Sequence, residues 1–161
     1  MDSLSLAAKS MWAKKSGAGE LLWLPLVVHM MDSAVTARNL WDSWLPGGTK
    51  EAISAGVGEI DLTKKLLIFL AAAHDIGKAT PVFQAKQARP LCPELDARIN
   101  EKLTLAGVPI KQYILFHDAK LTPHALATQA ILTRAGCNKN ASFILGTHHG
   151  KPINISTFQS S

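Results

Sequence analysis

LLIFLAAAHDIGK, Leu66 to Lys78, is the stretch around which the chain is organised. Leu66, Leu67, Ile68, Phe69 and Leu70 run into three alanines, a composition suited to a helix held in the core. The run ends in a His-Asp doublet, His74-Asp75, and Lys78 follows one turn later. A charge beside a buried helix needs a partner, and imidazole with carboxylate is a metal-binding pair. Asp61 is placed to cap the helix at its start. Gly77 is placed to end it, which puts His74 and Asp75 in the last turn. A metal site needs more ligands than one doublet supplies, and other segments carry them.

Upstream, Pro25 opens a helix in which Leu26, His29, Met30, Ser33, Ala37, Leu40, Trp41 and Trp44 recur at helical steps. His29 lies on or beside its buried stripe, and Asp32 stands close enough to face the same site. Pro46-Gly47-Gly48 stops this helix. Short helices are expected over Leu4–Lys14 and Thr49–Ala55. Downstream, Thr80-Pro81 pairs a cap with a first-turn proline and predicts a helix through Ala88. Glu94–Ala106 reads as a mainly polar helix closed by Gly107. Thr122-Pro123 repeats the cap-and-proline pattern and opens a helix to Ala135, with His124 in its first turn. Asn138 caps a last helix to Gly146, which runs into His148-His149-Gly150. Residues 108–121 resolve into no element, and the tail after Lys151 reads as loose. No period-2 strand, hairpin turn or internal repeat stands out. The predicted fold class is all-α, a bundle of five to seven helices in a single domain over residues 1–161.

Composition bounds the function. A chain of 161 residues with 47% apolar content buries a real core, which argues against wholesale disorder. A net charge of +5 suits an acidic partner such as nucleic acid, although the basic residues are scattered. Cys92 and Cys137 form no CxxC pair and read as reduced thiols of a cytoplasmic protein. No apolar run reaches the length of a membrane span, so no membrane association is expected.

The ligand-type residues are His29, His74, Asp75, His124, His148 and His149, from four separate segments. Taken singly, each has a plain structural reading as a core, surface or loop residue. Together they fall where helix ends can converge on the central doublet, and a metal site is the better reading. His117-Asp118 is a second doublet, but no apolar helix precedes it, and it is left out of the site. GTHHGK, Gly146 to Lys151, is one residue short of a phosphate-binding loop, and Pro152 replaces its Ser/Thr. Imidazoles sharing a carboxylate suit manganese, iron, nickel, cobalt or zinc, with room for two ions about 3.5–4 Å apart. Lys78 either reaches a phosphate oxygen or stands as a solvated cation at a helix C-terminus.

The ordered set His29, His74-Asp75, Lys78, His124 and His148-His149 resembles the HD superfamily of metal-dependent phosphohydrolases. It is most similar to the HD nuclease domain of the CRISPR type I helicase–nuclease. The words WAKK at Trp12, WLPLVVHMMDSA at Trp23, AAAHDIGKATPVFQ at Ala71, PHALATQAIL at Pro123 and THHG at Thr147 carry the likeness. It covers about Trp12 to Gly150.

The resemblance implies an all-α HD domain with two divalent transition-metal ions. It implies an endonuclease or exonuclease that hydrolyses phosphodiester bonds of single-stranded DNA in CRISPR interference, an antiviral defence. His29, His74 and Asp75 would hold one ion, with Asp75 bridging. His124, His148 and His149 would hold the other, and Lys78 would sit by the scissile phosphate. The implied partners are an RNA-guided surveillance complex that displaces the strand and a helicase portion in the same or a separate chain. The family's pattern places a further Asp ligand beyond the paired histidines, and residues 1–161 end before one, so the domain reads as incomplete at its C-terminus. Two alternatives remain open: a truncated, non-catalytic scaffold that binds DNA or a partner subunit, and an HD phosphohydrolase acting on nucleotides.

Overall fold

The computed structural model of the chain describes residues 3–16, 21–114 and 122–150. The doublet His117-Asp118 and the basic residues Lys120 and Lys151 lie outside them. The described residues form α1 (Leu6–Ser10), β1 (Trp12–Lys15), β2 (Trp23–Pro25), α2 (Leu26–Asn39) and α3 (Gly47–Ser54). There follow α4 (Ile60–Ala73), α5 (Pro81–Gln84), α6 (Pro93–Leu105), α7 (His124–Arg134) and α8 (Lys139–Gly146). A π-helical turn, Leu40–Trp44, extends α2, and 3-10 turns span Ile76–Ala79 and Lys111–Tyr113. The fold is mostly α, as the punctuation predicts. Eight α-helices exceed the expected five to seven because α1 and α5 are single-turn pieces.

Several local expectations are corrected. Residues Leu4–Lys14 divide into α1 and β1, and β1 pairs antiparallel with β2. The partners are Trp12 with Pro25, Lys14 with Leu24 and Lys15 with Trp23, and an irregularity falls between Trp12 and Lys14. Strands this short, one of them irregular, leave no alternation to read. Pro25 closes β2 and precedes α2 rather than occupying its first turn. The helix after Thr80 ends at Gln84, short of Ala88.

The stripe along α2 also breaks. Leu26 and Trp41 are buried, but Leu40 is 46% and Trp44 72% exposed. The π-helical turn, closed by Leu45 N donating to Leu40 O, advances the phase by more residues per turn than an α-helix. The three- and four-residue steps that track the buried face therefore fail beyond Asn39. Along α4, the predicted core helix, Thr63 and Ala73 are the buried positions. Leu66, Leu67 and Ile68 are half-buried, and Phe69 is 41% exposed. Among the described residues the helix packs mainly against α2, with α3 beside it and α8 near its end.

Two clusters make the core. The larger centres on α6, where Leu95, Ile99 and Leu103 at four-residue steps are fully buried beside Trp12, Phe83 and Ile110. Each such side chain contributes about 1.5–3 kcal/mol of burial free energy. The smaller joins Ala73 of α4, Leu132 of α7 and Leu145 of α8, with Leu70, Ile76 and Cys137 against it. It joins three of the four helices that carry the ligand-type residues; the fourth, α2, carries His29.

Candidate metal centre

Helix ends place the site. His29 lies in the first turn of α2, His74 follows the last residue of α4, and His124 is the first residue of α7. His148 and His149 follow α8 directly after Thr147. Asp75 sits in an irregular conformation (φ −109°, ψ 12°) between α4 and the 3-10 turn, so its carboxylate points across the ends of the other helices.

Gly77 is the reason these ends meet. It is not the left-handed helix terminator that its place suggests; it lies within the 3-10 turn with no positive φ. A Cβ there would overlap the His124 carbonyl oxygen and stand 2.5 Å from the Thr128 nitrogen. Only glycine lets the turn press directly on the backbone of α7. Thr128, fully buried, locks the contact. Its hydroxyl accepts from Gly77 N at 2.9 Å and donates to His74 O at 3.1 Å. At Gly146 of α8 a Cβ would meet the Gln129 side chain of α7 rather than its backbone.

The six other residues singled out from the sequence gather around Asp75, and its two oxygens divide five of them. Oδ2 lies 2.8 Å from His29 Nε2, 3.1 Å from His74 Nε2 and 2.7 Å from Lys78 Nζ. Oδ1 lies 3.1 Å from His124 Nε2 and 3.5 Å from His148 Nε2. His149 completes the second side, its Nε2 being 2.9 Å from His124 Nε2. Two sets of donor atoms, each within 4.8 Å of one another, result: His29, His74 and Asp75, and His124, His148 and His149. Asp32 is exposed and belongs to neither set.

The donor chemistry fits a divalent transition metal. His74 and His148 each direct Nδ1 at a backbone carbonyl, Ala71 O at 2.8 Å and Leu145 O at 2.6 Å. Those bonds make Nδ1 the protonated nitrogen and leave Nε2 as a free ligand. Among the described residues the buried His148 Nε2 has no hydrogen-bond partner, an orphaned ligand atom in the cluster. Burial alone would raise the pKa of Asp75. Hydrogen bonds from His124, Lys78 and His29, with the charge of Lys78, outweigh it and hold the carboxyl far below its usual range. Desolvation, then the neighbouring His148 and His124, push His149 below its ordinary value. Asp75 thus stays ionised and His149 favours its neutral, ligating form.

Sequence reasoning passed over two residues that position the site. Thr128 is one, one turn beyond His124 on the same helix face. The other is Gln84, fully buried, which ties the β1 strand to the 3-10 turn. Its Nε2 donates to Lys78 O at 2.7 Å and Trp12 O at 2.9 Å, and its Oε1 accepts from Trp12 N at 3.0 Å. The signal for Thr128 is its i+4 spacing. Nothing in the sequence pairs Gln84 with Trp12, 72 residues away.

The family model described as "Cas3, HD domain" matches residues 12–160. The CRISPR-associated nuclease/helicase Cas3 of Streptococcus thermophilus is 37% identical over 147 residues, covering 88% of this chain and 16% of the relative. The CRISPR-associated endonuclease/helicase Cas3 of Thermus thermophilus is 28% identical, covering 94% of this chain and 15% of the relative. The chain therefore spans about a sixth of the length of these curated relatives. No solved structure matches it. The family match spans nearly every described element and all seven residues gathered at Asp75, so this chain belongs to the Cas3 HD-domain family.

Proposed function

We propose that the chain hydrolyses phosphodiester bonds of single-stranded DNA, using two divalent transition-metal ions held on either side of Asp75. The observation that carries this reading is the division of the imidazoles between the two oxygens of one ionised carboxylate. His29 and His74 with Asp75 Oδ2 would hold one ion; His124, His148 and His149 with Asp75 Oδ1 would hold the other. Such ions, when bound, lower the pKa of a water and neutralise charge on a phosphodiester.

The chain's own residues supply the rest. Asp75 stays a carboxylate across the physiological range, its one negative charge shared by both oxygens, because its pKa is held so low. Backbone carbonyls fix the ring orientations of His74 and His148. Lys78 donates one N–H to Asp75 Oδ2, and its two further N–H groups suit a phosphate oxygen. The net charge of +5 favours a polyanion. The relatives' names join nuclease to helicase. On this reading the strand is delivered by a helicase portion after an RNA-guided complex has opened the duplex. Among the described residues no helix is long and apolar enough to cross a membrane.

The test is cleavage of a labelled single strand with Mn²⁺, repeated with chelator and with Asp75→Ala. Cleavage is expected only in the metal-loaded parent protein. Persistent cutting without metal, or by Asp75→Ala, would refute the assignment. Turnover of mononucleotides with no attack on the strand would favour a nucleotide phosphohydrolase instead.

A further inference from the structure

Beside the metal centre lies a second feature that its chemistry does not use. Phe83 packs edge-on against His124, with ring centroids 5.5 Å apart. On the same ring stands Lys86, its Nζ 4.9 Å from the centroid, and Lys78 Nζ lies 5.6 Å away. Lys86 therefore sits one aromatic ring from a ligand-type histidine. Arg89, exposed three residues on, acts on Lys86 as a neighbouring positive charge. Lys15, Lys64 and Lys78 each have a carboxylate partner. Among the described residues Lys86 and Arg89 have none. Burial, then the charges of Arg89 and Lys78, push the Lys86 ammonium below its usual value.

The loop that carries these two cations is held from behind. Lys15, with a side chain only 3% exposed, donates to Lys86 O at 2.7 Å and to Asp96 Oδ1 at 2.7 Å. Asp96 in turn accepts from Ala88 N at 3.1 and 3.0 Å. A buried ion pair is costly to desolvate. Here it fixes the backbone on both sides of residue 87 and so sets where residues 86 and 89 stand. Two like charges held together without a counter-charge gain most from an anion laid across them.

We propose that Lys86 and Arg89, with Phe83 beneath Lys86, form a phosphate-binding shelf that holds the backbone of the single strand just outside the metal centre. The proposal rests on the nuclease reading for the identity of the strand. It assigns to these two residues the grip on a flanking phosphate and leaves the scissile one to the metal centre and Lys78. The sequence-independent grip of a single strand depends on such backbone contacts.

The test is binding of a fluorescein-labelled oligothymidylate to the full chain, by fluorescence anisotropy across a salt series with chelator present, so that the strand stays intact. Each phosphate contact to a single strand contributes about 0.7 to the slope of log K against log salt. Lys86→Ala/Arg89→Ala is expected to reduce the slope by about 1.4, and affinity at 0.1 M salt by about 25-fold. Arg134→Ala/Lys139→Ala removes the same charge at the other end of α7 and the start of α8. It is expected to leave the slope near the parent value. Equal effects from both pairs would reduce the shelf to general positive charge and overturn it; so would an unchanged slope in Lys86→Ala/Arg89→Ala. Cleavage by the parent protein is scored separately. A parent that binds but never cuts sinks the nuclease reading while a reduced slope still supports the shelf. A parent that cuts, beside a double variant that binds equally well, sinks the shelf alone.

Discussion

Replacing Gly77 with alanine is expected to damage both the fold and the metal centre. The added methyl meets the His124 carbonyl oxygen and the Thr128 nitrogen, which are backbone atoms of α7 and not flexible side-chain ends. Relief requires the 3-10 turn to move off the helix. That movement breaks the 2.9 Å bond from Gly77 N to the Thr128 hydroxyl and stretches the 3.1 Å bond from that hydroxyl to His74 O. Two such bonds at about 1 kcal/mol each, with about 1–3 kcal/mol for overpacking, give roughly 3–5 kcal/mol. In a chain of this size the melting temperature falls by roughly 10 °C. The same displacement draws His124 away from Asp75 Oδ1, now 3.1 Å distant, so Mn²⁺ affinity falls by about 10–100-fold. Calorimetric melting with and without Mn²⁺, and a metal titration, read both effects. A Gly77→Ala protein that melted within about 2 °C of the parent, with unchanged Mn²⁺ affinity, would refute the close-approach argument.

Thr128→Val keeps the side-chain volume and removes the hydroxyl, leaving Gly77 N without its partner; melting should report a loss of about 1–3 kcal/mol, with Thr128→Ser restoring most of it. Asp96→Asn removes the carboxylate that accepts from Lys15 and Ala88 N and leaves Lys15 buried beside a neutral amide; about 3–5 kcal/mol of stability should be lost in denaturant titration. The metal-free protein should lose stability on acidification in two ranges. His149 has a folded pKa below its unfolded 6.5, so its protonation favours the unfolded chain as pH falls through 6.5. Asp75 has a folded pKa below its unfolded 3.8, so its contribution is present above 3.8 and is lost as pH falls further. Melting temperature against pH checks this, and His149→Ala should flatten the upper range; an unaltered profile in that variant would count against the His149 shift.

The helices of this chain were legible where a start signal meets a helical period, as at Asn138, whose side chain caps α8; at Thr80-Pro81 the start was legible but not the end at Gln84. The ligand-type residues were legible because imidazoles and a carboxylate at helix ends have few other reasons to cluster. What was not legible has long-range causes. Strands β1 and β2 are short and irregular and take their definition from each other and from Gln84, which bonds both backbone groups of Trp12. The π-helical turn at Leu40–Trp44 breaks the steps along which Leu40 and Trp44 looked buried. Gly77 looked like a helix terminator because glycine serves two purposes, a left-handed backbone and a missing Cβ. Only the position of α7 reveals that the second applies. The apolar run of α4 overstated its burial because hydropathy does not say which faces find a neighbour.

A single measurement bears on the metal centre most directly: anomalous scattering from crystals of the chain grown with Mn²⁺, beside crystals of Asp75→Ala. The expected result is two peaks, one on each side of Asp75, one among His29 and His74 and one among His124, His148 and His149, with both weakened or gone in the variant. One peak, none, or two that persist without the carboxylate would contradict a centre bridged by Asp75.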